Sequence, residues 1–168
     1  MFKSFITNNA SLKNLFISIW ENHSEYLFEI YELILNNSKF ISDIENFRLS
    51  SSWSNFDIQN MLTQLLPLLT SIKHIDIDID EGFSSADRCI TDLVQSQTQL
   101  LSFSICSVTQ NILDAFKYCS NTLTSIEFIY CDFKKVSLFD RLRYLIQLEI
   151  LRFHYCWGMT TQTFHPLN

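Results

Sequence analysis

The amino-acid sequence predicts an α/β fold built by repetition: a right-handed horseshoe with a parallel sheet on its concave face and helices on its convex face. Three observations predict it. First, an apolar residue is followed three places later by a second and two places after that by a third, and this happens six times. The tracts are Leu12/Leu15/Ile17, Ile44/Phe47/Leu49, Ile72/Ile75/Ile77, Leu100/Phe103/Ile105, Leu123/Ile126/Phe128 and Leu148/Leu151/Phe153. Their first positions, 12, 44, 72, 100, 123 and 148, lie 32, 28, 28, 23 and 25 residues apart, the spacing of stacked-repeat architectures. Second, each tract alternates with period two, as a strand with one buried face does. Third, a polar stretch and then a segment of helical period follow each of the first five tracts.

Taken in order, the first strand surrounds Leu15 and Ile17, and Ser24 is placed to cap a helix over residues 24 to 35. Tyr26, Leu27, Ile30, Leu33 and Ile34 recur there at three- and four-residue steps. After the second strand, Ser54 or Asn55 can cap a helix carrying Phe56, Ile58, Met61, Leu62, Leu65 and Leu66, with Pro67 closing it. The third strand alternates Ile75, Ile77 and Ile79 with Asp76, Asp78 and Asp80. Its helix opens at Ser84-Ser85-Ala86-Asp87 and runs through Cys89, Ile90, Leu93 and Val94. The fourth helix uses Ile112, Leu113, Phe116 and Cys119, and the fifth uses Leu138, Phe139, Leu142 and Leu145. Adjacent strands pair edge to edge and stack the apolar anchors into one core, so residues 1 to 168 form a single domain.

Composition narrows the partners. The net charge is -6: residues 1 to 100 hold 13 acids and 6 bases (-7), and residues 101 to 168 hold 5 acids and 6 bases (+1). Nothing here is the basic patch of a phosphate-binding surface, so nucleic acid is not an expected partner. Five cysteines, an odd number without a C-x-x-C pair, suit a reducing compartment better than a disulfide framework. Thr7, Asn8 and Asn9 interrupt the apolar start before a signal h-region forms, and no run approaches the ~18 apolar residues of a membrane span. The expected location is intracellular, cytoplasmic or nuclear, and the sequons at Asn9, Asn22 and Asn36 are read as chance tripeptides.

Chemistry-bearing constellations are sparse. Asp76-Ile77-Asp78-Ile79-Asp80-Glu81-Gly82, with Asp87 twelfth from Asp76, has the outline of a calcium loop. The sixth and twelfth places are Glu81 and Asp87 where Gly and Glu are required, and an alternating strand explains every residue. There is no G-x-S-x-G and no glycine loop for phosphate, and Cys and His lack metal-ligand spacing. His154 and Cys156 lack a third group and an oxyanion hole. No enzyme activity, metal or cofactor is expected; an enzyme would need a deep pocket uniting His74 or His154 with a carboxylate.

The candidate site is instead the concave face, at the third, fifth and seventh places of each tract. Its partner-binding residues are Phe16, Arg48, His74, Asp76, Asp78, Glu127, Arg152 and His154, with Cys106 among the smaller residues beside them. Aromatic and arginine residues anchor interfaces, and flanking charges steer approach. Six strands at about 4.8 Å give roughly 24 Å by 12 Å, or about 300 Å². A stable interface needs about 800 Å² per partner, so neighbouring loops or further repeats must contribute.

The L-x-x-L-x-L tract is that of a leucine-rich repeat. The tracts Thr122-Leu123-Thr124-Ser125-Ile126-Glu127-Phe128-Ile129-Tyr130-Cys131 and Leu148-Glu149-Ile150-Leu151-Arg152-Phe153-His154-Tyr155-Cys156 resemble the cysteine-containing leucine-rich repeats of F-box proteins. With Asn8-Asn9-Ala10-Ser11-Leu12 and Ser120-Asn121-Thr122-Leu123 before the strands, the chain is most similar to a large fungal family of F-box/leucine-rich-repeat-like proteins. The resemblance implies a leucine-rich-repeat solenoid that holds a protein target for a ubiquitin ligase, with the ligase scaffold bound through an F-box. It also implies an inward Asn or Cys three places past the last strand anchor, here Trp20, Ser52, Asp80, Val108, Cys131 and Cys156. No F-box is recognisable, and the register starts and stops mid-repeat, so the chain reads as about six repeats incomplete at both ends. If an F-box lies upstream, it is the target-binding region of a substrate receptor; the alternative is a truncated or decayed fragment without activity of its own.

Overall fold

The computed structural model describes residues 12–19, 24–51, 58–79 and 83–159, and these form one parallel six-stranded sheet with helices. The strands are β1 (Asn14–Ile19), β2 (Asn46–Ser51), β3 (His74–Ile79), β4 (Ser102–Cys106), β5 (Ser125–Ile129) and β6 (Ile150–His154). They lie in chain order, each beside its predecessor. Parallel neighbours need a crossover, usually a helix. Here the connections carry α1 (Ser24–Leu35), α2 (Ile58–Leu65), α3 (Phe83–Ser96), α4 (Gln110–Ala115) and α5 (Leu138–Leu142), and consecutive helices pack against one another.

All five strand pairs keep one register. Leu15, Phe47, Ile75, Phe103, Ile126 and Leu151 form a row across the sheet, and Ile17, Leu49, Ile77, Ile105, Phe128 and Phe153 form another. On β2 to β5 these anchors are no more than 2% exposed, and Ile44, Ile72, Leu100 and Leu123, just before the strands, are fully buried. On and just before the outer strands Leu12, Ile17, Leu148, Leu151 and Phe153 are only partly buried; among the described residues each has a stacked neighbour on one side alone. Phe128 packs edge-on against Phe133 at 5.3 Å and stacks on Phe153 at 5.7 Å, which ties β6 to the core.

The helices follow the predicted apolar spacing with shifted ends. α3 begins at Phe83, one residue before the predicted opening, and Cys89, Ile90, Leu93 and Val94 are buried. α2 ends at Leu65, and the chain continues through a 3₁₀ turn, Leu66–Leu68, that contains Pro67. The fourth helix is shorter than predicted: α4 stops at Ala115, and Phe116–Cys119 is 3₁₀. The connection there is the shortest, and a 3₁₀ turn covers about 2.0 Å per residue against about 1.5 Å for an α-helix. Leu145 is buried in the turn after α5. The expected caps Ser54 and Asn55, and Phe56, Trp20, Ser52 and Asp80, lie outside the described residues, as do the side chains of Tyr26, Leu27, Ile30, Met61 and Leu62. Among the described residues no helix is long and apolar enough to cross a membrane.

One buried polar side chain joins two strand-helix units. Gln97, 1% exposed, accepts from Ile72 N through Oε1 at 3.0 Å and donates through Nε2 to Leu69 O at 2.8 Å and Leu93 O at 3.1 Å. Ile72 N and Leu69 O lie where the chain leaves the 3₁₀ turn for β3, and regular secondary structure gives them no partner there. Nothing in the spacing of the repeats marks Gln97. Gln97→Leu strands both groups in the core and is expected to lower stability by about 2–4 kcal/mol, read from urea unfolding. A loss under about 1 kcal/mol contradicts this role.

Candidate functional site

The outward strand positions form rows in the same register as the buried ones. Asn14, Asn46, His74, Ser102, Ser125 and Ile150 open the strands, and Phe16, Arg48, Asp76, Ser104, Glu127 and Arg152 cross the middle. A further row is Ser18, Ser50 and Asp78 on β1 to β3, and Cys106, Ile129 and His154 on β4 to β6. Every residue expected to bind a partner is therefore on one face, exposed or half-buried. Cys106 is the exception and corrects the expectation: it is 5% exposed. It ends its strand, and the chain leaves the sheet at Ser107 with φ 68°, so the period-two alternation stops there.

The fold pairs these side chains across strands. Arg48 Nε lies 3.3 Å from Asp76 Oδ2, and His154 Nε2 lies 2.9 Å from Glu127 Oε1. His74 Nδ1 meets Ser102 Oγ at 2.7 Å, and Ser50 Oγ donates to Asp78 Oδ2 at 3.5 Å. Burial pushes the Asp76 carboxyl up, Arg48 and the Ser104 hydroxyl oppose this, and Asp78 and Glu127 add to it. The centre of the face is thus acidic and partly desolvated, while Phe16 stands exposed on β1 and Arg152 on β6.

The His154 and Glu127 side chains are 48% and 31% exposed and lie on the outward face of the sheet. A groove of about 470 Å³ lies away from this face, along α2 and α3 between Thr63, Pro67, Cys89 and Asp92. Asp87 does not reach toward Asp76 and Asp78: it accepts from Thr109 Oγ1 and, at 2.8 Å, from Asn111 Nδ2, joining α3 to the start of α4. Asp80, Glu81 and Gly82 lie outside the described residues. Among the described residues no three His, Cys, Asp or Glu side chains gather where they could hold a metal.

The inward cysteines bond backbone across units. Cys131 Sγ donates to Ile129 O at 3.4 Å and reaches Ile105 O at 3.7 Å, and Cys156 Sγ donates to Phe128 O at 3.3 Å. Each thiol thus reaches a carbonyl of the preceding strand. Burial pushes the Cys119 thiol up to about 11 and the Cys131 thiol up to about 12, so both stay protonated and non-nucleophilic near neutral pH.

Sequence reasoning missed the rim of the face. Ser107, Tyr130 and Tyr155 follow β4, β5 and β6, and all three have positive φ, 68°, 52° and 53°. At the corresponding place in β2 and β3 the chain stays extended and the side chain points inward: Ser51 and Ile79 are 2% and 1% exposed. The left-handed turn reverses this. It leaves Tyr130 and Tyr155 53% and 74% exposed, their rings stacked at 5.1 Å and 12°, and lets Cys131 point into the core. The recurring Tyr-Cys pair, Tyr130-Cys131 and Tyr155-Cys156, was the available signal.

Comparison with known protein families, with curated proteins and with solved structures gives no match to this chain. Its function is therefore read from the geometry of this face.

At the other end of the strands, Lys13 Nζ and Lys73 Nζ clamp Glu45 at 2.8 and 3.0 Å. Hydrogen bonds from Lys13 and then Lys73 hold the Glu45 carboxyl down to about 2, from an ordinary 4.5. A carboxylate with a lowered folded pKa stabilises above its unfolded pKa, and that contribution is lost as pH falls through the folded value. Glu45→Gln is expected to melt below the native chain at pH 6, with the gap closing from pH 4.5 toward 2. A pH-independent gap rules the clamp out.

Proposed function

We propose that this chain is the repeat region of a leucine-rich-repeat solenoid and that its concave face holds a protein segment. It resembles the substrate-recognition region of an F-box-type ubiquitin ligase receptor. The observation that carries this reading is the row Phe16, Arg48, Asp76, Ser104, Glu127 and Arg152, which crosses all six strands without a break. An extended, mixed-charge strip with an aromatic at one end suits a polypeptide better than a small molecule, which needs enclosure. Support for the solenoid comes from the six tracts in one register and from the thiols of Cys131 and Cys156, which reach backbone of the preceding unit. The work of such a module is binding, without cofactor or metal, in the cytoplasm or nucleus. The ubiquitin ligase scaffold becomes a partner if an F-box precedes this region.

The face covers only about 300 Å², so the exposed rim residues Tyr130 and Tyr155 count toward the contact. Affinity capture of the full-length product tests the reading. The native chain is expected to retain a discrete protein, and Arg48→Glu, Asp76→Arg, Asp78→Arg and Arg152→Glu combined should reduce its recovery by about tenfold or more. Recovery unchanged by the reversal, or no protein retained by either chain, overturns it.

A further inference from the structure

We propose that the rim formed by Ser107, Tyr130 and Tyr155 seats an arginine side chain of the bound polypeptide, with Asp78 receiving its guanidinium. This rests on the reading of the outward face as a protein-binding surface and names the chemistry that the face selects.

The two tyrosine rings lie parallel at 5.1 Å, close to the ~4.8 Å between neighbouring strands. The stack therefore advances along the sheet, one ring for each strand. Tyr155 follows the outer strand β6, and Tyr130, after β5, is the inner member. One strand further in, the next residue of the row is Ser107, one place beyond the paired Cys106 and Ile129. Ser107 shares the left-handed conformation at φ 68° but carries no ring. The stack thus stops one step short on β4, and a flat group lying over Ser107 against Tyr130 would continue it. Among the described residues neither tyrosine ring has another ring or cation against it.

A nucleobase, a proline and a guanidinium can all stack on tyrosine; the charges nearby choose among them. Asp76 and Asp78 project from β3 on one side of β4, and Glu127 projects from β5 on the other. Arg48 pairs with Asp76 and His154 with Glu127. Asp78 receives the long hydrogen bond from Ser50 and, among the described residues, has no cation beside it. Its place is one residue short of the row through Ser107, since Ile77 and Ile105 are paired. A phosphate-bearing base would meet three carboxylates, and a proline would leave Asp78 unpaired. A guanidinium satisfies both features: its plane lies flat on an aromatic ring while its edge donates to a carboxylate. A lysine ammonium supplies the charge without the plane.

The test uses the purified 168-residue chain and fluorescein-labelled peptides of three Gly-Ser-Arg units, with matched lysine and citrulline versions and a ten-residue dT oligonucleotide. Fluorescence anisotropy should show the arginine peptide bound most tightly. Lysine is expected to weaken it about threefold, and neutral citrulline about tenfold. Tyr130→Ala should cost about three- to fivefold and Asp78→Asn about tenfold. Ser107→Tyr fills the vacant step with a ring of the protein's own and should block the peptide, while unchanged thermal melting confirms the fold. Tyrosine already occupies this conformation at residues 130 and 155. The proposal is overturned if citrulline or dT binds as well as arginine, if no peptide binds, or if Tyr130→Ala and Ser107→Tyr leave binding unchanged. Absence of peptide binding with charge-sensitive capture intact removes this proposal alone; capture indifferent to charge reversal removes the protein-binding reading beneath it.

Discussion

The parallel, unslipped pairing of six strands is the constraint on which the rest of the structure depends. A one-residue slip in any pair would turn every side chain of that strand to the opposite face. Held in register, equivalent residues stand beside one another about 4.8 Å apart, so the same spacing that stacks Phe47, Ile75, Phe103 and Ile126 inside also lines up Arg48, Asp76, Ser104 and Glu127 outside. The core and the candidate binding face are two consequences of one alignment. The core side holds the register, because a slip would expose anchors that are buried almost completely in β2 to β5.

The charges on the outward face follow from that alignment. Arg48 and Asp76 are 28 residues apart in sequence and 3.3 Å apart in space, and Glu127 and His154 are joined in the same way. Such pairs on a partly solvated surface add little to stability. Their effect is to leave the centre of the face acidic and its margins mixed. The left-handed turns after β4, β5 and β6 add a second device. They turn tyrosines out to water after β5 and β6 where β2 and β3 bury Ser51 and Ile79.

Joining the units also requires backbone groups to be satisfied where strands and helices end. Gln97 does this with both ends of its amide, and Cys119, Cys131 and Cys156 do it with thiols directed at carbonyls of the neighbouring unit. A thiol is a weak donor but small and apolar enough to lie in the core. Cys131 and Cys156 recur three places past a strand anchor, whereas Gln97 leaves no periodic trace, because it answers a local shortage of partners.

Hydrophobic periodicity was sufficient to determine the strands and, short of their last residues, their inward and outward faces. Period two and period 3.6 are properties of the backbone that a sequence records directly. Helix ends were less legible, since Phe83 and the 3₁₀ turns at Leu66–Leu68 and Phe116–Cys119 depend on how much chain each connection has to span. Tertiary structure alone decided three matters: the burial of Cys106, the stacking of Tyr130 on Tyr155, and the partners of Gln97. The physical reason is common to them. Each depends on where the chain leaves regular structure and on what the neighbouring unit places opposite it, and neither is encoded in the spacing of apolar residues.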